Sequence, residues 1–191
     1  VVIDAVLERA GVAHVEICSQ GLREGIFYER FLSPAEPPLV ADVRRQSVLN
    51  LVDIYRCDAP HAEHVCRLAL ATYDALADLG LQRADPAERE MLWAAGMLHD
   101  AGVLVDYNDH HKHGYYLILN AGLPGYDHTE LAMIALLARG HRKGIPSLSP
   151  LDEILAGDRY EDRLLRLASC LRIAEQLERG RAGGVRGLSA H

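Results

Sequence analysis

The 191-residue sequence has no CxxC pair, no excess of basic charge and no apolar run of membrane-spanning length. Each absence excludes something. The four cysteines, Cys18, Cys57, Cys66 and Cys170, are scattered, which argues against a zinc knuckle or disulfide framework and for buried thiols in a reducing compartment. A net charge of −7 argues against a nucleic-acid partner, while leaving room for a local basic patch that binds phosphate chains. Asp4, Glu8 and Arg9 interrupt the first apolar residues, so no signal-peptide pattern is seen. With neither span nor signal, a cytoplasmic protein without a membrane partner is expected.

Apolar residues make up 49% and charged residues 25%, the balance of a globular protein with a real core, and the length fits one domain or one domain plus a fragment. Histidine is the anomaly. Five of the ten, His99, His110, His111, His113 and His128, fall within thirty residues. Such a tract can be a solvated loop, but clustering around a helix end favours metal or phosphate chemistry.

Residues 1–31 do not read as the start of a domain. Val2 to Ala10 has helical spacing, His14 to Cys18 alternates as a short strand, and Gly21 opens a helical segment through Phe31. One strand cannot stand alone, so its sheet partners are expected in a partner or in a longer protein. Ser33-Pro34-Ala35-Glu36-Pro37-Pro38 reads as a linker. Past it the pattern is helical: 43–55, then Pro60 to about Leu79 with Asp58 as a possible cap, then Asp85-Pro86 to His99-Asp100. Further helices are expected from His113 to Asn120, from a cap at Asp127 or Thr129 to Ala138, and from Asp158 to about Arg179. Gly140 to Pro150 reads as a basic loop, and residues 181–191 as a flexible glycine-rich tail.

Met97-Leu98-His99-Asp100-Ala101-Gly102 places two metal-binding side chains at the inner end of an apolar helix. Burying them costs desolvation energy unless a partner such as a divalent cation offsets it; the bland alternative is a helix-terminal histidine beside a solvated aspartate. His61 shares a face with Val65, Leu68 and Thr72, and His64 lies on a neighbouring stripe, so one of the two can face a central site while the other is solvated. Glu175 follows Leu171 by four on the stripe of Leu164, Ala168 and Ala174. It calls for a cation or for an arginine such as Arg166 or Arg172, with Glu178 as the alternative carboxylate.

The order His61, His99-Asp100, then an acid in the last long helix resembles the HD superfamily of metal-dependent phosphohydrolases, with its H…HD…D pattern on a helical core. Glu175 stands where that family carries an aspartate. Gly21-Leu22-Arg23-Glu24-Gly25, Asp109-His110-His111-Lys112-His113-Gly114-Tyr115-Tyr116-Leu117-Ile118, Leu123-Pro124-Gly125 and Ala138-Arg139-Gly140-His141-Arg142-Lys143-Gly144 resemble the narrower exopolyphosphatase / guanosine pentaphosphate phosphohydrolase (Ppx/GppA) family. That resemblance implies a mainly α fold, an HD-domain-like helical bundle over residues 32–180. A short N-terminal α/β remnant over 1–31 would be the last piece of an actin-like catalytic region, with a flexible tail over 181–191.

It further implies a divalent metal (Mn, Mg, Fe or Zn) held by His61, His99, Asp100 and Glu175, with His113 and His141 completing a second site and Asp100 in the catalytic role. Lys112, Arg142 and Lys143 would bind phosphate. The implied function is hydrolysis of polyphosphate or phosphorylated nucleotides. The rival is a non-catalytic polyphosphate-binding and dimerisation module, giving a homodimer, that serves an N-terminal actin-like catalytic domain of the full-length protein.

Overall fold

Asp85 accepts a hydrogen bond from the Ala87 amide at 2.9 Å, Pro86 supplies the fixed φ of the first turn, and the helix they start is the centre of the larger structural unit. This helix, α5 (Pro86–Leu98), packs against α3 (Val43–Ile54), α4 (Ala59–Asp78), α7 (His128–Gly140) and α8 (Asp158–Leu177). Helices on several sides demand apolar residues nearly all round. Met91, Leu92, Ala94, Ala95, Gly96, Met97 and Leu98 are accordingly all buried. Gly96 lets α4 approach, because a Cβ there would collide with the Cys66 thiol.

The computed structural model describes residues 2–12, 21–34, 39–149, 151, 153–155 and 158–189. The chain divides into two units, Val1–Ala41 and Asp42–His191. In the first unit, α1 (Val2–Ala10) and α2 (Leu22–Phe31) bury none of their residues. The expected strand His14–Cys18 and residues 35–38 of the expected linker lie outside the described residues. Among the described residues there are helices and no strand, so the fold is mainly α.

The second unit is the helical bundle. Asp58 caps α4, its carboxylate accepting from the His61 amide at 3.3 Å, and Asp127 and Glu130 form a reciprocal capping box on α7. Both caps fall where the sequence places them. A 3-10 turn (Ala101–Leu104) follows α5 directly and leads to α6 (His110–Ala121), which lies along α7. α6 differs from expectation: it starts at His110, not His113, after Asp109 takes a left-handed φ of 56°. That three-residue difference decides which histidine faces inward.

The buried carboxylate that arginines do pair is Glu88. It is 4% exposed and accepts from Arg163 at 2.8 Å, from Arg166 at 3.1 Å and from the Tyr73 hydroxyl at 3.2 Å. Arg166 is thereby committed to Glu88, and Arg172 turns its guanidinium to the Gly140 and Gly144 carbonyls. Neither arginine is left for Glu175.

Candidate metal centre

His61 comes from the first turn of α4, His99 from the C-terminal cap of α5, Asp100 from the next residue, and Glu175 from the last turn of α8. His110 opens α6 and His141 ends α7. Five helices thus bring one end each to a single place.

Two donor groups result. His61, His99 and Glu175 form one, and Asp100, His110 and His141 the other; within each, the candidate ligand atoms lie within 4.8 Å of one another. Glu175 Oε2 is 3.3 Å from Nε2 of both His61 and His99. Asp100 stands between the groups. Its Oδ1 is 3.3 Å from His110, 3.6 Å from His99 and 4.0 Å from His141, while its Oδ2 is 3.9 Å from His61.

The histidines are oriented by backbone carbonyls three residues earlier. His99 Nδ1 lies 2.6 Å from the Gly96 carbonyl, His141 Nδ1 2.6 Å from that of Ala138, and His110 Nδ1 2.8 Å from that of Tyr107. A carbonyl accepts only, so each Nδ1 carries a proton, and each ring when neutral presents an Nε2 lone pair. Those lone pairs face carboxylates and one another, with His110 and His141 Nε2 atoms 3.1 Å apart. Inside the first group His61 Nδ1, His61 Nε2, His99 Nε2 and Glu175 Oε2 are buried without a hydrogen-bond partner. Buried acceptors facing acceptors are costly until a cation sits among them. The donor set therefore fits a metal, and imidazole with carboxylate suits Zn, Mn or Fe and, through the carboxylates, Mg.

Without a cation the groups answer one another's charge. Burial alone would raise Glu175, but the neighbouring His61 and His99 outweigh it and hold the carboxyl well below its ordinary range. Burial of His99 is outweighed in turn by Glu175 and Asp100, which raise its pKa. Asp100 is likewise lowered, burial again opposing the pull of His99, His141 and His110. Burial, aided by His99 and His110, pushes His141 down to about 3, so its ring is neutral and free to act as a ligand.

Other candidates lie differently. His113 is half-buried and belongs to neither group; His110 stands where the sequence pointed to His113. The signal was there: His110, Gly114 and Ile118 share one buried face at i, i+4, i+8 once the helix starts at His110. His64, one of two histidines weighed for the site, is not solvated. It is buried against Glu178, with Nδ1 and Oε2 3.3 Å apart. Lys112 and Lys143 are exposed beside Asp109, at 2.8 Å and 4.0 Å. Together with His111 and Arg139 they line a cavity of about 500 Å³ walled also by Ile145, Pro146 and Ser147. Arg142 is not in that wall; it lies over the Tyr107 ring and 3.4 Å from His110 Nδ1. A second groove of about 490 Å³, on α4 and α5, contains none of the centre's residues.

Residues 43–188 match the family described as "Ppx/GppA phosphatase, domain III". The chain is 28% identical over 180 residues to a guanosine-5'-triphosphate,3'-diphosphate pyrophosphatase of Pseudoalteromonas translucida, covering 92% of this chain and 35% of that protein. The protein of that name from Vibrio vulnificus is 27% identical over 172 residues, 89% of this chain and 33% of its own length. The one from Pseudoalteromonas atlantica is 29% identical over 145 residues, 75% and 28% respectively. The chain therefore spans about a third of the length of the first two of these relatives. No helix among the described residues is long and apolar enough to cross a membrane. With the match running through α3 to α8 and over every residue of the two donor groups, the chain belongs to the Ppx/GppA phosphatase family.

Proposed function

We propose that the helical unit is an HD-type divalent-cation centre of a phosphohydrolase, acting on phosphoanhydride or phosphate-ester bonds of a phosphorylated nucleotide or polyphosphate. The observation that carries the reading is the pair of donor groups sharing Asp100, with Nε2 lone pairs turned inward. His61, His99 and Glu175 would hold one cation and Asp100, His110 and His141 a second. Cations held so supply Lewis-acid activation of water and neutralise charge on a phosphoryl group. The chain's own residues do the positioning. The Gly96, Ala138 and Tyr107 carbonyls fix three imidazoles, and the Asp100 carboxylate spans the two groups. Lys112, Arg142 and Lys143 give the approach a positive field for a phosphate chain.

The names of the relatives support a nucleotide polyphosphate as substrate, and their greater length supports an actin-like domain joined to this one in the whole protein. A second reading, a polyphosphate-holding and dimerising module without turnover, is favoured by the basic cavity beside the centre. The deciding assay measures phosphate release from guanosine-5'-triphosphate,3'-diphosphate and from polyphosphate in added manganese. The first reading expects release that falls at least tenfold, ~1.4 kcal/mol of barrier, in Asp100→Asn. No release, with polyphosphate binding that survives chelator and drops in an Arg142→Ala, Lys143→Ala double variant, would establish the second.

A further inference from the structure

The segment after α8 does not leave the molecule. Arg181 turns the chain with a left-handed φ of 50° and donates from Nη2 to Asp100 Oδ2 at 2.7 Å and from Nη1 to Asp58 Oδ2 at 3.1 Å. The segment is fastened on both sides of that turn. The Gly183 amide donates to Glu178 Oε1 at 3.0 Å, Glu178 Oε2 is 3.3 Å from His64 Nδ1, and His64 Nε2 is 2.8 Å from the Val185 carbonyl. His64 and Glu178, both buried and both outside the two donor groups, thereby gain a role: they tie the segment down.

We infer that residues 178–185 form an intrachain strap whose Arg181 guanidinium occupies the Asp100 oxygen facing His61, so that a cation in the His61–His99–Glu175 group gains Asp100 Oδ2 as a further ligand only by displacing it. The inference rests on the reading of Asp100 as a cation ligand. Asp100 divides its two oxygens unequally. Oδ1 looks to His110 and His141 and carries no arginine, whereas Oδ2, the oxygen on the His61 side, is taken. Guanidinium and divalent cation are both positive and cannot share one lone-pair direction. The two groups therefore load unequally, the one on the His61 side gaining its Asp100 ligand through displacement of the strap. Arg181 is 46% exposed, so the ion pair alone is weak, and the fastening through Glu178, His64 and Val185 is what keeps it closed. A strap closed nine-tenths of the time would lower apparent affinity about tenfold.

The test is calorimetric titration of the full chain with Mn²⁺, for the wild type, Arg181→Ala and Arg181→Lys, with amide hydrogen exchange of residues 179–189 followed with and without the metal. Arg181→Ala should tighten one of the binding steps by about three- to tenfold, with Arg181→Lys between it and the wild type. Manganese should speed exchange across the strap in the wild type. Equal affinities in all three chains with unchanged exchange would overturn the strap while the metal centre stands. Binding by neither wild type nor Arg181→Ala would overturn both.

Discussion

His110 and His141 point Nε2 at Nε2 across 3.1 Å, although each has its Nδ1 proton engaged by a backbone carbonyl. Two bare lone pairs do not attract each other, and Asp100 Oδ1, 3.3 Å from His110, adds a third acceptor. A divalent cation satisfies all three. His110→Ala should weaken manganese binding at one of two steps at least tenfold, whereas His113→Ala should leave both within about twofold. Calorimetric titration of the two variants checks this; equal losses would return the second group to the histidine that the sequence favoured.

The place of His110 depends on Gly102. A Cβ on Gly102 would fall onto the His110 carbonyl and the Gly114 amide, both backbone groups that cannot rotate away. Gly102→Ala should therefore push α6 from the 3-10 turn and cost about 2 kcal/mol, in the range for overpacking. Urea unfolding followed by circular dichroism measures the loss. Weaker manganese binding should accompany it, because His110 moves with the helix.

Glu88 is the structural carboxylate of the core, held by Arg163, Arg166 and Tyr73. Removing it leaves the partly exposed Arg163 and Arg166 without their buried acceptor and opens a cavity, while the Tyr73 hydroxyl keeps the Asp85 backbone as partner. Glu88→Ala should destabilise the unit by about 2–3 kcal/mol, somewhat less than the loss of one partner from a fully buried pair. A thermal melt decides it, and manganese binding at room temperature should be unchanged, since Glu88 belongs to neither donor group.

Glu130 caps α7 and accepts from both Nη atoms of Arg44, at 2.8 Å and 2.9 Å. Burial would raise its pKa, but Arg44 and the Asp127 amide lower it below the ordinary 4.5. Its contribution is thus present above pH 4.5 and lost as pH falls through the lowered folded value. Wild type should exceed Glu130→Gln by about 1 kcal/mol at neutral pH, and the gap should close in acid. Paired urea titrations at pH 7 and below pH 4 test the sign.

Much of the bundle was legible because its signals are local. Asp58, Asp85 and Asp127 sit before apolar periodic runs, and all three cap helices. His61, His99, Asp100 and Glu175 occupy inward positions of their helices and meet. The start of α6 was less legible, because Asp109 adopts a positive φ that no glycine announced and the run His110-His111-Lys112-His113 has no apolar register of its own. The strap was illegible for a different reason. A glycine-rich tail has no periodicity, and its order here comes from Asp58, His64 and Asp100, far away in sequence, and from Glu178 just past the end of α8.

Metal content decides whether the two donor groups hold cations. The full chain, purified without chelator and equilibrated with manganese, should retain up to two ions per chain by elemental analysis, and His99→Ala, which removes the most buried candidate ligand of the first group, should retain fewer while staying folded. A wild-type chain that retains no ion, or a His99→Ala chain that retains as many as the wild type, would mean that these residues do not hold a metal.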